Sequence, residues 1–221
     1  MSGASINNFE FVLTLLEASY RESDAPSITL ISQTKRDPFY VLISTIISLR
    51  TKDEVTLDVS NRLYETVQNM EDIEKTGVER LTELLYPAGF YRTKARNILT
   101  IAALVREEFG GRIPDSMDDL LRLPGVGRKT ANLVLILGYN KEGLCVDTHV
   151  HRISNRFGWV KTKRPDDTEF ALRSFLPIQY WRIINDYLVS YGQTVCRPVS
   201  PHCSVCTLSL VCPKIGVDRM R

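Results

Sequence analysis

Residues Leu121–Asn132 read LRLPGVGRKTAN and predict two helices joined by a tight hairpin. Pro124 disfavours helical backbone in the residue before it, so the first helix must end there. Gly125 and Gly127 are expected to take backbone angles that other residues resist. Helical apolar spacing then resumes over Arg128–Leu137. The stretch therefore predicts a helix–hairpin–helix arrangement, around which the rest of the chain is organised.

The backbone of this hairpin is a candidate anion site. The N–H groups of Gly125, Val126, Gly127 and Arg128 are expected to point outward at the start of the second helix, where they can donate to a phosphate. Arg128 adds positive charge at the same place. Glycine turns also join helix pairs that bind no ligand, so the hairpin needs support from other residues.

Lys129 and Asp147 supply that support. Lys129 lies in the first turn of the second helix, where the helix dipole disfavours a cation and so favours the neutral, nucleophilic amine. Asp147 stands 18 residues later, after the short apolar run Leu144–Val146. It can cap the helix expected over Thr148–Phe157, and a capping carboxylate can also be catalytic.

At these residues the sequence resembles the endonuclease III family of DNA glycosylases, in the helix-hairpin-helix superfamily. Leu123–Ala131 and Val146–His149 carry the resemblance, which extends from about residue 30 to the last cysteine. It implies that Lys129 is the nucleophile and Asp147 the essential carboxylate.

The fold is expected to be all-α, because apolar spacing is helical from Ile6–Tyr20 onward and strand alternation is nowhere sustained. The polar stretch after that first helix is expected to be loop, with a short strand or turn at Ile28–Ile31. The resemblance implies two helical domains. A six-helix barrel with the hairpin would span 31–141, and 1–30 plus 142–221 would form a second domain carrying an iron–sulfur cluster loop.

Four cysteines near the end of the chain are candidate metal ligands. Cys196, Cys203, Cys206 and Cys212 have the spacing C-x6-C-x2-C-x5-C, and both zinc and iron–sulfur clusters accept four cysteines. Structural zinc usually uses two close pairs, and only one C-x2-C pair is present. The spacing matches the family's 4Fe–4S loop, so the resemblance implies that cluster. Cys145 lies outside the pattern and is expected to be a small buried hydrophobe.

Composition and charge indicate where the protein is located and what kind of partner it binds. No apolar run approaches the ~20 residues of a membrane span, and Met1–Glu10 lacks the features of a secretion signal. We therefore expect an intracellular protein, cytoplasmic or nucleoid-associated if prokaryotic. Residues 89–164 hold 14 Lys and Arg against 7 Asp and Glu, whereas the remainder holds 14 against 19. The basic excess around the hairpin suits a polyanion such as DNA.

Three further residues are candidate DNA contacts. Phe90 lies in the turn Gly89–Lys94, where the family places an apolar wedge that fills the space left by an extruded base. Arg50 stands where many bacterial members carry a glutamine that contacts the orphaned base, which makes the substrate range of this chain a separate question. Arg152 is expected either to pair within the protein or to face DNA.

The resemblance implies a bifunctional enzyme of base-excision repair. It would remove oxidised pyrimidines and cleave the abasic site by β-elimination through a lysine Schiff base, acting as a monomer on double-stranded DNA with damaged bases or abasic sites. One alternative is a uracil or thymine mismatch glycosylase, although that branch commonly lacks the lysine. Another is a non-catalytic DNA-binding or redox-sensing iron–sulfur protein, which would not need Lys129 and Asp147.

Overall fold

The computed structural model describes residues 9–21 and 25–221, and over those ranges the regular structure is helical, with no strand. This confirms the all-α prediction. The helices are α1 (Phe9–Arg21), α2 (Ser27–Thr34), α3 (Pro38–Ser48), α4 (Asp53–Tyr64), α5 (Met70–Leu85), α6 (Tyr91–Phe109), α7 (Met117–Leu121), α8 (Arg128–Leu133), α9 (Thr148–Arg156), α10 (Pro165–Arg173) and α11 (Ile184–Thr194). A π-helical turn at Val134–Gly138 continues α8, and a short 3-10 turn, Ile178–Tyr180, precedes α11. Residues 1–8, with the start of the expected first helix, lie outside the described residues.

The chain divides into two compact units. The hairpin unit is Ser27–Gly143, and the terminal unit comprises Leu144–Arg221 together with the described residues up to Pro26. The hairpin unit begins four residues before the limit expected from the sequence and ends two residues after it. Each catalytic candidate therefore belongs to a different unit, Lys129 to the hairpin unit and Asp147 to the terminal unit.

Helix α3 is the centre of the hairpin unit and contacts α2, α4, α6, α8 and the π-helical turn. Asp37 caps its start by accepting a hydrogen bond from the Phe39 N–H, and Pro38 occupies the first turn, where no N–H is needed. Every residue from Val41 to Ile47 is buried. A helix that is apolar on all sides can be stable only in such a position.

The expected strand or turn at Ile28–Ile31 is wrong, because these residues belong to α2. The two isoleucines stand one helical turn apart and both are buried, but eight residues are too few for the period to be recognised. The first residue of α2 is held by a residue that is distant in the sequence. Ser27 Oγ donates to Asp53 Oδ1 over 3.2 Å, and a contact of that kind leaves no local signal.

In the terminal unit α1 packs against α11 although the two are far apart in sequence. The Phe9 ring meets those of Trp159, Phe175 and Tyr180 at centroid distances of 4.9, 6.4 and 5.8 Å, in edge-on arrangements that aromatic rings prefer. None of the helices in ranges 9–21 and 25–221 is both long and apolar enough to cross a bilayer.

Candidate active site and nucleic-acid interface

The hairpin has the predicted order of elements. Ser116 caps α7 by accepting a hydrogen bond from the Asp119 N–H at 3.2 Å, and its hydroxyl donates to the Asp119 carboxylate at 2.7 Å. Helix α7 ends at Leu121, slightly earlier than Pro124 requires. The chain then turns and re-enters helical structure at Arg128.

The two hairpin glycines have different roles. Gly125 has φ +79°, and a Cβ on it would lie 2.7 Å from the Asn97 amide nitrogen, so the fold itself demands glycine there. Gly127 has φ −102° and ψ 179°, which is extended backbone open to any residue. No atom lies within 4 Å of a Cβ placed on it. The expectation that Gly127 needs unusual angles is therefore wrong, and neither its backbone nor its surroundings within the chain require glycine there.

Val126 is also used differently from the expectation. Its side chain is buried, and its N–H donates to the Leu123 carbonyl at 3.1 Å, so that group is not open to a ligand. In the part of the chain that the structure describes, no hydrogen bond uses the N–H of Gly125 or Gly127. The candidate anion site therefore consists of the N–H groups of the two glycines and the first turn of α8, which begins at Arg128.

Lys129 is the second residue of α8 and is partly exposed. The next four residues, Thr130 to Leu133, are all buried, so the helix that carries the lysine is fixed in the hairpin unit. The Asn132 amide donates to the Arg128 carbonyl at 3.1 Å, on the same short helix. This arrangement presents one amine at the helix start on a rigid support.

Asp147 caps α9, as the sequence predicts. Its Oδ1 accepts hydrogen bonds from the N–H groups of His149 and Val150 at 2.8 and 2.9 Å. Both cap bonds go to the same oxygen, so Oδ2 takes no part in the cap. The carboxylate is therefore held in one orientation, and one of its oxygens stays available for chemistry.

The structure brings together two residues that the sequence proposes separately as DNA contacts. The Arg50 guanidinium carbon lies 5.3 Å from the centroid of the Phe90 ring, within cation–π range. Both residues are exposed, and 62 % of Phe90 is open to solvent. Both have left-handed backbone, with φ +54° at Arg50 and +57° at Phe90.

Lys94 is a buried amine beside this pair that sequence reasoning does not single out. Only 5 % of it is exposed, and its Nζ donates to the carbonyls of Ile47 and Leu49 and to Thr51 Oγ1 at 2.6, 2.7 and 2.9 Å. Burial lowers the pKa of Lys94 to about 8. A sequence signal exists, since Lys94 stands four residues before buried Ile98 on the apolar face of α6.

Arg152 is used inside the protein rather than as an open DNA contact. Its Nη2 donates to the carbonyls of Gly192 and Cys196 at 3.1 and 2.8 Å and lies 3.1 Å from His149 Nδ1. Burial lowers its pKa from the ordinary arginine value. Of the two expectations for this residue, pairing within the protein fits the structure.

Arg156 is a further residue missed at the sequence level. It is buried, and its Nη1 donates to Cys196 Sγ at 3.2 Å and to the Arg197 carbonyl at 2.8 Å, while Nη2 donates to the Pro198 carbonyl at 2.8 Å. It follows Arg152 by one helical turn, and that spacing indicates a shared face of α9. The two arginines together hold the start of the cysteine segment.

The four cysteines line one cavity with about 360 Å³ of empty space, counted with the space open to solvent. Burial and the neighbouring cysteines raise the pKa of Cys203 and Cys212, and the Tyr191 hydroxyl lies 3.1 Å from Cys206 Sγ. No three His, Cys, Asp or Glu side chains in ranges 9–21 and 25–221 are close enough to hold a single metal ion. Cys145 is fully buried, as expected.

Comparisons with known proteins show which family the chain belongs to. Residues 43–177 match the family described as HhH-GPD superfamily base excision DNA repair protein. Endonuclease III of Thermotoga maritima is 49 % identical over 176 residues, covering 80 % of this chain and 83 % of that protein. The chain spans about half the length of a matching Arabidopsis thaliana relative, endonuclease III homolog 2.

Two solved structures share the fold. A non-covalent endonuclease III–DNA complex has a TM-score of 0.81 at 30 % identity, covering 93 % of this chain and 95 % of that one. A trapped endonuclease III–DNA covalent intermediate, an estranged-adenine complex, has a TM-score of 0.77 at 33 % identity, covering 80 % and 84 %.

The chain therefore belongs to the HhH-GPD superfamily of base excision DNA repair proteins and, within it, to the endonuclease III enzymes. Its activity is that of a DNA glycosylase and abasic-site lyase, and its partner is DNA. The alternative of a non-catalytic DNA-binding or redox-sensing protein is thereby excluded.

The Gly127 geometry yields a prediction. We expect Gly127→Ala to change the free energy of unfolding by less than about 1 kcal/mol, because the backbone suits alanine and the methyl meets no atom. The same methyl would stand between the start of α8 and a phosphate, so affinity for duplex DNA should fall about tenfold. Chemical denaturation and fluorescence anisotropy measure the two effects.

Gly125→Ala is the matched control. Its positive φ and the nearby Asn97 amide should make this variant less stable by about 1–2 kcal/mol. If Gly127→Ala binds DNA as tightly as the wild type, the phosphate site at the start of α8 is contradicted.

Proposed function

We propose that Lys129 is the nucleophile that couples base removal to strand cleavage. The observation that carries this proposal is the position of Lys129 in the first turn of α8, two residues after the open Gly127. The neutral amine would attack C1′ of an extruded nucleotide and form a C–N bond as the bond to the base breaks. Opening of the sugar ring would leave an imine between Nζ and C1′.

The imine accounts for the lyase step. It acidifies the hydrogen on C2′, and loss of that proton expels the 3′ phosphate, which cleaves the strand on the 3′ side of the lesion. Hydrolysis of the imine would then release Lys129 as the free amine. One amine thus supports both activities, and no redox partner is needed.

Asp147 is proposed as the carboxylate that assists this chemistry. With Oδ1 fixed by two N–H groups of α9, Oδ2 would accept a proton from the lysine or stabilise positive charge on the sugar. Either role requires a carboxylate in a defined orientation, and the cap of α9 supplies that orientation. Asp147→Asn should keep the cap and lose the charge.

Oxidised pyrimidines in duplex DNA are the proposed substrates, handled by a single copy of the chain inside the cell. Arg50 and Phe90 would fill the space left by the extruded nucleotide, and the open N–H groups of Gly125 and Gly127 would bind the DNA backbone. Relatives with the name endonuclease III support the substrate class. A uracil or thymine mismatch activity is the second candidate, and Lys129 argues against it.

A 4Fe–4S cluster is proposed for the cavity lined by Cys196, Cys203, Cys206 and Cys212. These residues fit the group, because four iron atoms hold their thiolates farther apart than one ion does, and the cysteines are gathered without the close packing that zinc requires. The Arg156 guanidinium beside Cys196 would offset the negative charge of the thiolates. The cluster would stabilise the terminal unit and take no part in the proposed bond-making steps.

Trapping with borohydride tests the lysine. Borohydride reduces an imine to a stable amine, so wild-type protein and duplex DNA with one abasic site should give a covalent adduct that Lys129→Gln does not form. Asp147→Asn should slow base removal by about 10²–10⁴-fold. Lys75→Gln, which removes an exposed lysine paired with Glu71, is the matched control and should trap normally.

Two results would overturn the lysine proposal. A persistent adduct in Lys129→Gln would move the nucleophile to another amine. A folded wild-type protein that excises thymine glycol but forms no adduct would be a glycosylase without lysine-dependent lyase chemistry.

Metal analysis tests the cluster. Purified protein should contain about four irons per chain, and Cys206→Ala should lose the iron and melt at a lower temperature. Cys145→Ala, the matched control outside the set of four, should keep its iron. One zinc per chain in the wild type, or full iron in Cys206→Ala, would contradict the assignment.

A further inference from the structure

Two exposed loops of the hairpin unit are joined by a small polar network. One loop lies between α3 and α4 and carries Arg50, and the other is the turn before α6 that carries Phe90. Lys94, in the first turn of α6, reaches back to the first loop with three hydrogen bonds of 2.6–2.9 Å. All three protons of its ammonium group are thereby used.

Thr51 closes the network from the other side. Its Oγ1 accepts hydrogen bonds from Lys94 Nζ at 2.9 Å and from the Gly89 N–H at 3.0 Å. Gly89 also approaches the Arg50 carbonyl so closely that any Cβ would collide with it. The hydroxyl therefore ties together the backbones that immediately precede Phe90 and follow Arg50.

The ends of this network are two residues with unfavourable backbone. Arg50 and Phe90 both adopt left-handed φ values, which bulky residues avoid unless their surroundings enforce them. Their side chains are nevertheless exposed and stack on each other, with 5.3 Å between guanidinium carbon and ring centroid. Backbone of this kind clusters at ligand-binding and active sites, where the surrounding structure enforces it.

We propose that Lys94 and Thr51 are positioning residues that hold Arg50 and Phe90 as one stacked unit, which enters the duplex as a single body when the nucleotide is extruded. This inference depends on the proposed role of Arg50 and Phe90 as DNA contacts. Holding the two side chains together before binding avoids the cost of ordering two flexible groups separately. Arg50 then reaches the orphaned base from a fixed support.

Thr51→Val is the direct test, because it removes the shared oxygen with little change in shape. We expect its single-turnover excision of a lesion from duplex DNA to fall about tenfold. Lyase activity on single-stranded DNA with an abasic site needs neither extrusion nor gap filling, and should stay within about twofold. Thr51→Ser keeps the oxygen and should restore most of the duplex rate.

Matched controls separate positioning from stability. Thr82→Val makes the same chemical change at a hydroxyl that bonds only within its own helix, to the Val78 carbonyl, and should leave both rates unchanged. Melting temperatures of all variants should be measured in parallel. Equal loss of the duplex and single-strand rates in Thr51→Val would overturn the proposal in favour of a purely structural role.

The stacked unit can also be tested without touching the buried network. Arg50→Ala and Phe90→Ala affect exposed side chains, so neither should unfold the protein. If the two act as one body, the double variant should excise from duplex DNA scarcely more slowly than the worse single variant, instead of showing the product of both losses. If the double variant instead loses excision rate by the product of the two single losses, the two side chains act independently and the proposal of a single stacked unit is wrong.

The same variants separate the proposed role of Arg50 and Phe90 as DNA contacts from their proposed positioning by Lys94 and Thr51. If Arg50→Ala and Phe90→Ala leave duplex excision unchanged while Lys129-dependent trapping persists, their proposed role as DNA contacts fails. If they slow excision and Thr51→Val has its full effect even in the double-alanine background, the contacts stand and the positioning inference fails. Loss of the Thr51→Val effect in that background supports the inference.

Discussion

The burial of α3 is the constraint on which the hairpin unit depends. Because nearly all of this helix is apolar, it is buried among five other elements. It ends at Ser48, so its last carbonyl groups lie close to the surface loop that carries Arg50. The last carbonyls of a helix lack partners within it and need them elsewhere. Lys94 supplies them from α6, and in doing so fixes where the first loop meets the second.

A charged group is costly to bury, and burial lowers the pKa of Lys94 to about 8. The lysine is tolerated because each of its protons has an oxygen acceptor at 2.6–2.9 Å. An apolar residue would avoid the cost of desolvation but would remove the hydrogen bonds that the amine donates to the carbonyls of Ile47 and Leu49. A requirement of the core is thus met by the same side chain that determines the geometry of an exposed surface.

The sequence predicts features that depend on neighbouring residues and misses those that depend on residues far away in the chain. The hairpin and the cap at Asp147 depend on neighbouring residues, and both could be recognised. The motif predicts an open N–H at Val126, and for Arg152 the sequence leaves both an internal partner and DNA open, because the partners of both residues come from the surrounding fold. The sequence predicts that Gly127 is needed for its backbone angles. The structure gives it extended backbone that any residue can adopt, and no atom lies within 4 Å of a Cβ placed there.

Helix α9 connects the Asp147 carboxylate to the cysteine segment. Asp147 is fixed by the first N–H groups of this helix, and Arg152 and Arg156 on the same nine-residue helix hold the carbonyls of Cys196, Arg197 and Pro198. The segment from Cys196 to Cys212 has no regular helix of its own, and these bonds anchor its start, while turn hydrogen bonds such as Cys212 N–H to the Leu208 carbonyl hold its end. Helix α9 is also anchored by buried Val150 and Ile153 and by its packing against α11. One short helix thus orients the Asp147 carboxylate at its start and anchors the beginning of the cysteine segment near its end.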